Sequence, residues 1–269
     1  MTLQGKLGFL GFGNMGGAIL GGLLAARVTD AADVVVFDID AGKCAAAKAL
    51  GAAVASSPAE LARMSDILLL AVKPQHMDDA LAQMKPGFAP VTLVISIVAG
   101  VSIAHVQARL GTDARVVRVM PNTPALVGAG AAGIALSDTC TEADVSVARA
   151  IFEAVGVAVT VPEAALDAVT ALSGSGPAYF FYIVECLVRA AVAEGLSETQ
   201  AMRLAAQTLL GAGRLLMQSG EPASVLRERV TSKGGTTAAA LKVFQEQGLD
   251  RVLAAGVASA AARSRELGK

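Results

Sequence analysis

The residues most suited to chemistry stand near the start of the chain, in the run Gly11-Phe12-Gly13-Asn14-Met15-Gly16. It lies between an apolar strand-like stretch, Lys6 to Leu10, and a helically spaced one, Ala18 to Ala26. In such a turn the first glycine permits a tight bend, the second lets backbone approach a pyrophosphate, and the third lets the helix pack closely. The helix's opening amides and dipole then attract the anion. The strand, turn and helix context predicts a pyridine-dinucleotide site here in preference to a glycine-rich turn without a ligand.

A second strand signature, Asp33 to Phe37, is followed by Asp38, where an acidic side chain accepts hydrogen bonds from the adenosine ribose. The other reading makes Asp38 or Asp40 the cap of the next helix, Ala41 to Leu50. A carboxylate at Asp38 repels the extra phosphate of NADPH, and Lys43 in the next turn offsets that repulsion. Both NADH and NADPH stay open, with electrostatics leaning slightly to NADH. Further strand ends supply Ala71, Val72, Lys73 and Pro74, then Val98 and Ala99 before Gly100. Strand ends of this kind open onto the ligand crevice, and small residues let backbone lie against a flat ring. An ordinary turn is the other reading of Ala99-Gly100.

In the second half, Ser175-Gly176-Pro177 at an expected helix start offers anion donors. Ser232, Gly234, Gly235, Thr236 and Thr237 offer hydroxyls and closely approachable amides. His76 and His105, the two histidines, lie in the first half outside these runs, so histidine acid catalysis is not expected.

Four blocks carry a specific resemblance: Leu70 to Pro74, Met120 to Pro124, Asp167 to Tyr179 and Val230 to Leu241. Together they resemble the pyrroline-5-carboxylate reductase family, in order and over essentially the whole chain. The resemblance implies hydride transfer from NADPH or NADH to the cyclic imine of an imino acid. It implies that Ser232 to Thr237 surround the substrate's carboxylate and ring nitrogen. Thr237 is then the candidate catalytic residue, orienting the nitrogen by hydrogen bonding because an alcohol is too weak an acid to protonate it. Glu163 matches a family position near the bound product, its other reading being an acid at a helix start. The chain departs from the family at Lys233, where proline is usual, and at Ser57-Pro58, where asparagine is common. A 3-hydroxyacid dehydrogenase and a non-catalytic dinucleotide sensor are the rival readings.

These residues need two kinds of scaffold. Ile67 to Val72, Thr92 to Val98, Arg115 to Met120, Ala132 to Leu136 and Gly156 to Val161 read as further strands. Helices are predicted at Met77 to Met84 and Ala143 to Val155. Strands apolar on both faces belong in a parallel sheet covered on both sides. From Pro162 the spacing is helical throughout, with Ser197 as a cap. The expected fold class is α/β: a Rossmann-like dinucleotide-binding domain over residues 1–161, then an all-α substrate-binding and dimerisation domain over 162–269. Tyr179 to Tyr182 are expected to pack against a partner helix, giving a homodimer or a larger assembly of dimers.

A net charge of −1 with 17% charged residues provides no basic field for nucleic acid or an anionic membrane. Hydrophobic residues reach 54%, with mean hydropathy +0.58. Even so, Pro90 to Ala104 and Ala178 to Val184 fall short of the roughly 18 to 20 residues of a membrane span. The stretch Leu7 to Ala26 superficially resembles a leader, but glycines and Asn14 interrupt it. Cys44, Cys140 and Cys186 fit no metal-binding spacing and read as buried small hydrophobes in a reducing cytoplasm, with no metal expected.

Overall fold

The structure, a computed structural model, describes residues 2–268. The chain forms two compact units: one runs to Ser175 and takes in the chain again from Ala260, the other is Gly176–Ser259.

In the first unit, strands β1 (Leu7–Leu10), β2 (Val34–Phe37), β3 (Ala53–Val54), β4 (Ile67–Leu70), β5 (Leu93–Ser96), β6 (Arg115–Met120), β7 (Gly130–Leu136) and β8 (Gly156–Thr160) make one sheet. Its order is β3-β2-β1-β4-β5-β6-β7-β8. Strand order reverses between β1 and β4, where Leu10 pairs with Leu70, and ligands of doubly wound sheets bind at such a switch point. All pairings are parallel except β6 with β7, a departure from the purely parallel sheet expected. The segment between them, containing the short turn Thr123–Val127, is too brief for a crossover of about a dozen or more residues, so the chain must double back.

Alternation along the strands sorts their side chains into two cores. Phe9, Val36, Leu69, Ile95 and Val117 face one side, and Leu10, Val35, Leu68, Leu70, Val94 and Val116 the other. The first core is closed by α1 (Asn14–Ala25), and the strand end by α2 (Ala41–Ala49). The second is closed by α3 (Pro58–Arg63), α4 (Met77–Met84) and α5 (Ile103–Leu110), through Leu61, Leu81 and Val106. Helix α6 (Glu142–Glu153) adds Ile151 and Phe152 to the first core.

After β8 come α7 (Leu166–Val169), a π-helical stretch at Thr170–Gly174, and α8 (Gly176–Ala193). They are followed by α9 (Glu198–Ser219), α10 (Ala223–Arg229), α11 (Thr236–Glu246) and α12 (Leu249–Leu267). Ser197 caps α9 as expected, with Gln200 completing a reciprocal capping box.

The break between units falls at Ser175, later than the Val161-Pro162 boundary read from sequence. Packing explains the difference. A side chain at Gly133 of β7 would lie 2.8 Å from Val169 and 3.2 Å from Leu166, so this strand accepts α7 against its bare backbone. The chain's end also returns to the sheet unit, where Ser264 Oγ donates to Asp167 Oδ1 at 2.6 Å.

Candidate active site

Gly11 carries φ +93°, and a Cβ there would stand 2.8 Å from the Ala71 carbonyl oxygen. Its amide donates to Phe37 O at 2.8 Å, so the residue is wedged between the ends of β2 and β4. Gly16 lets α1 close on this bend: its missing Cβ would be 3.2 Å from Gly11 O. Gly13, the N-cap of α1, has no side-chain cap, and only Lys43 Nζ, at 3.9 Å, comes near its missing Cβ. The opening amides of α1 are therefore left for an outside acceptor, as a pyrophosphate requires. Phe12 anchors the turn in the core, its ring edge-on to Phe9 at 5.8 Å, while Asn14 is exposed and Met15 half-buried at the helix start.

The two readings of the acidic turn separate here. Asp40 caps α2, accepting from Gly42 N at 2.8 Å. Asp38 accepts from Phe12 N on Oδ2 at 2.7 Å and from Asp40 N on Oδ1 at 2.9 Å, tying the glycine turn to β2. Ser57 caps α3, accepting from Glu60 N at 3.2 Å, which gives this departure from the family a local structural use.

A cavity of about 390 Å³ opens where β4, β5 and β6 end, wholly within the first unit. Of the expected residues, Pro74, Val98, Ala99 and Ser175 line it. Ala71 and Val72 instead abut Gly11, and Lys73 is exposed just before the Pro74–His76 turn. Arg118, Met120, Thr170, Arg263 and Ser264 also line the cavity and were not anticipated from sequence. Met120 and Thr170 lay within family blocks, and Arg118, an arginine on an apolar strand, was a further signal. A hollow of about 440 Å³ beside Arg149 holds the Arg149 and Glu153 ion pair and none of the expected site residues.

Two expected substrate residues are differently placed. Ser175 does not open a free helix N-terminus: helical structure runs through Glu163–Ala193, and the Ser175 amide donates to Thr170 O at 2.8 Å. Gly176 is buried at the start of α8. Glu163 Oε1 accepts from Ile103 N at 2.8 Å and Arg118 Nη1 at 3.0 Å, so this carboxylate caps α5 and holds a cavity arginine.

The remaining candidates belong to the second unit. Gly235 N donates to Ser232 O at 3.0 Å across a turn in which Gly234 has φ +73°. A side chain at Gly235 would strike Ser232 Oγ. Helix α11 starts at Thr236, uncapped by any side chain, with Thr237 half-buried in its first turn. The cysteines are half-buried rather than fully buried. Burial pushes the Cys140 thiol up, keeping it protonated.

Among the described residues no group of three His, Cys, Asp or Glu could hold a metal ion. A doubly wound sheet with an open glycine turn, followed by a helical unit, defines a two-domain NAD(P)-dependent oxidoreductase. Residues 6–100 match the family described as NADP oxidoreductase, coenzyme F420-dependent, and residues 163–267 the pyrroline-5-carboxylate reductase dimerisation domain. A pyrroline-5-carboxylate reductase of Methanosarcina acetivorans is 42% identical over 98% of both chains. The solved structure of one from Coxiella burnetii has TM-score 0.96 at 35% identity, over 99% of this chain and 100% of that one. A Plasmodium falciparum pyrroline carboxylate reductase solved with NADP bound has TM-score 0.86 at 30% identity, over 100% of each. The chain belongs to the pyrroline-5-carboxylate reductase family.

Proposed function

We propose that the protein reduces the cyclic imine of 1-pyrroline-5-carboxylate to L-proline in the cytoplasm, working as a homodimer or an assembly of dimers. The observation that carries the reading is the uncapped glycine turn at the β1/β4 switch point, beside a cavity lined by Pro74, Val98, Ala99 and Ser175. Bound NADPH or NADH supplies the hydride. Gly13, Asn14, Met15 and Gly16 hold its pyrophosphate through backbone amides, while Gly11 and Phe12, their amides held by Phe37 O and Asp38, shape the turn against it. Ala71 to Pro74, with Val98 and Ala99, border the nicotinamide.

The imino acid's carboxylate is taken by Ser232, Gly234, Gly235 and Thr236, whose turn and uncapped helix start suit an anion. Thr237 orients the ring nitrogen. Glu163 fixes Arg118 at the cavity wall. Holding ring and nicotinamide in register lowers the barrier by up to roughly 7 to 11 kcal/mol, the worth of proximity and orientation. The test is oxidation of NADPH and NADH with pyrroline-5-carboxylate and with a six-membered cyclic imine. Turnover of the five-membered ring is expected, and no turnover of either ring would remove the proposal.

A further inference from the structure

We infer that Arg118 and Glu163 work as a charge-balanced pair at the nicotinamide. Arg118 holds the carboxamide oxygen, and Glu163, a positioning residue, cancels the guanidinium charge so that the ring can become cationic. The inference rests on the dinucleotide reading of the glycine turn. Side chains alternate along β6, so Val116, Arg118 and Met120 share a face, and Val116 and Met120 pack in the second apolar core. The Arg118 side chain is only 18% exposed there, with Nη1 donating to Glu163 Oε1 at 3.0 Å. Its other guanidinium N–H groups meet no acceptor among the described residues, although it lines the cavity together with Val98 and Ala99. A largely buried ion pair adds little net stability over apolar side chains of similar size, so packing does not account for a cation at this position.

Most other polar groups of the cavity are engaged. Thr170 Oγ1 donates to Leu166 O at 2.7 Å and Ser264 Oγ to Asp167 Oδ1, while Arg263 is 67% exposed and pairs with Glu266. That leaves the neutral Ser175 hydroxyl and the Arg118 guanidinium, which has five donors and keeps its charge, to meet a carboxamide oxygen. Hydride leaves a dihydronicotinamide with its electron pair, so the ring gains one positive charge, and a lone guanidinium beside it would oppose that change. Glu163 removes the opposition while keeping the arginine in place. The same Oε1 accepts from Ile103 N at 2.8 Å, which ties the pair to the start of α5, just past Val98 and Ala99.

The test is calorimetric titration of the full-length protein with NADP⁺, NADPH, NAD⁺ and NADH, and with 2′-phospho-ADP-ribose and ADP-ribose, which lack the nicotinamide. Glu163→Gln keeps an acceptor for Ile103 and Arg118 and deletes only the charge. It should weaken the oxidised dinucleotide against the reduced one by about tenfold, the weight of one unit charge near a cationic ring in a partly solvated site. Arg118→Gln should weaken both redox states against the nicotinamide-free ligand and move their ratio in the opposite direction. The double variant should restore the wild-type ratio, and the nicotinamide-free ligands should change by less than about twofold throughout, as for a distant site. Should the unpaired carboxylate unfold Arg118→Gln, Glu163→Gln against the double variant still decides the sign. Equal weakening of all ligands would reduce the pair to a structural brace and overturn the inference, as would an unchanged ratio in Glu163→Gln or shifts of the same sign in the two single variants. Binding of no ligand by the wild type would remove the dinucleotide reading and the inference with it.

Discussion

Thr237 has the means to orient a substrate and lacks the means to protonate it. Its hydroxyl sits half-buried in the first turn of α11 and meets no hydrogen-bond partner among the described residues. Thr237→Ala should therefore lower kcat by roughly tenfold to a hundredfold, the worth of a hydrogen bond to a charged group. Dinucleotide affinity should stay unchanged and Thr237→Ser should restore most of the rate; parallel loss of rate and affinity would instead indicate damage to the fold. Lys233, where the family usually has proline, occupies the second position of a turn whose third, Gly234, has φ +73°. That is a type II turn, which favours proline at the second position, and the Lys233 amide donates to no backbone group among the described residues. Lys233→Pro should raise stability by about 0.4–1 kcal/mol, chiefly by restricting the unfolded chain. A lowered melting temperature would show that the turn cannot accept the ring.

Elements inherit needs from single residues, and Pro177 illustrates how. Lacking an N–H, it cannot donate to Ser173 O one turn earlier, where the π-helical stretch passes into α8. Asn122 fills that gap, its Nδ2 donating to Ser173 O at 2.9 Å while Oδ1 accepts from Ala131 N at 2.8 Å. One buried amide thus joins the end of β6, the start of β7 and the wall of the cavity. Asn122→Leu keeps the approximate size and strands both backbone groups, so urea denaturation should show a loss of about 1–3 kcal/mol per group left unpaired. A change within experimental error would mean that water replaces the amide. The same element shows where sequence reading stops. The glycine turn was legible because its neighbours in sequence create its geometry. The contacts of Glu163 with Arg118 and Ile103 and of the Ser175 amide with Thr170 were not legible, because no local pattern announces them. Strand β3 is two residues long, and α5 hides in an apolar run behind its cap Ser102, so both escaped a search for periodicity. The positions of the main strands, by contrast, followed from continuous apolar runs.

At the scale of the molecule, the helical half leaves more apolar surface uncovered than one chain should. The helix Glu163–Ala193 is long and apolar enough, by length and composition, to cross a membrane, which the shorter runs scanned in the sequence concealed. Phe180 is 53% exposed, Phe181 61% and Tyr182 63%, forming a contiguous aromatic run of the kind that marks an interface. This run falls inside the segment matching the family's dimerisation domain, so a second copy is the expected cover, as a bilayer would demand no such family match. A charge at the middle of the run separates these possibilities. Phe181→Glu should shift the purified protein toward monomer in light scattering at micromolar concentration and lower its melting temperature, because burying an unpaired carboxylate at the interface is unfavourable by several kcal/mol. Binding of NADP⁺ should survive, since the glycine turn and its supports lie in the other unit. A wild-type protein that is monomeric and needs no detergent would contradict the dimer, and an unchanged assembly in Phe181→Glu would move the interface to another face of the helices.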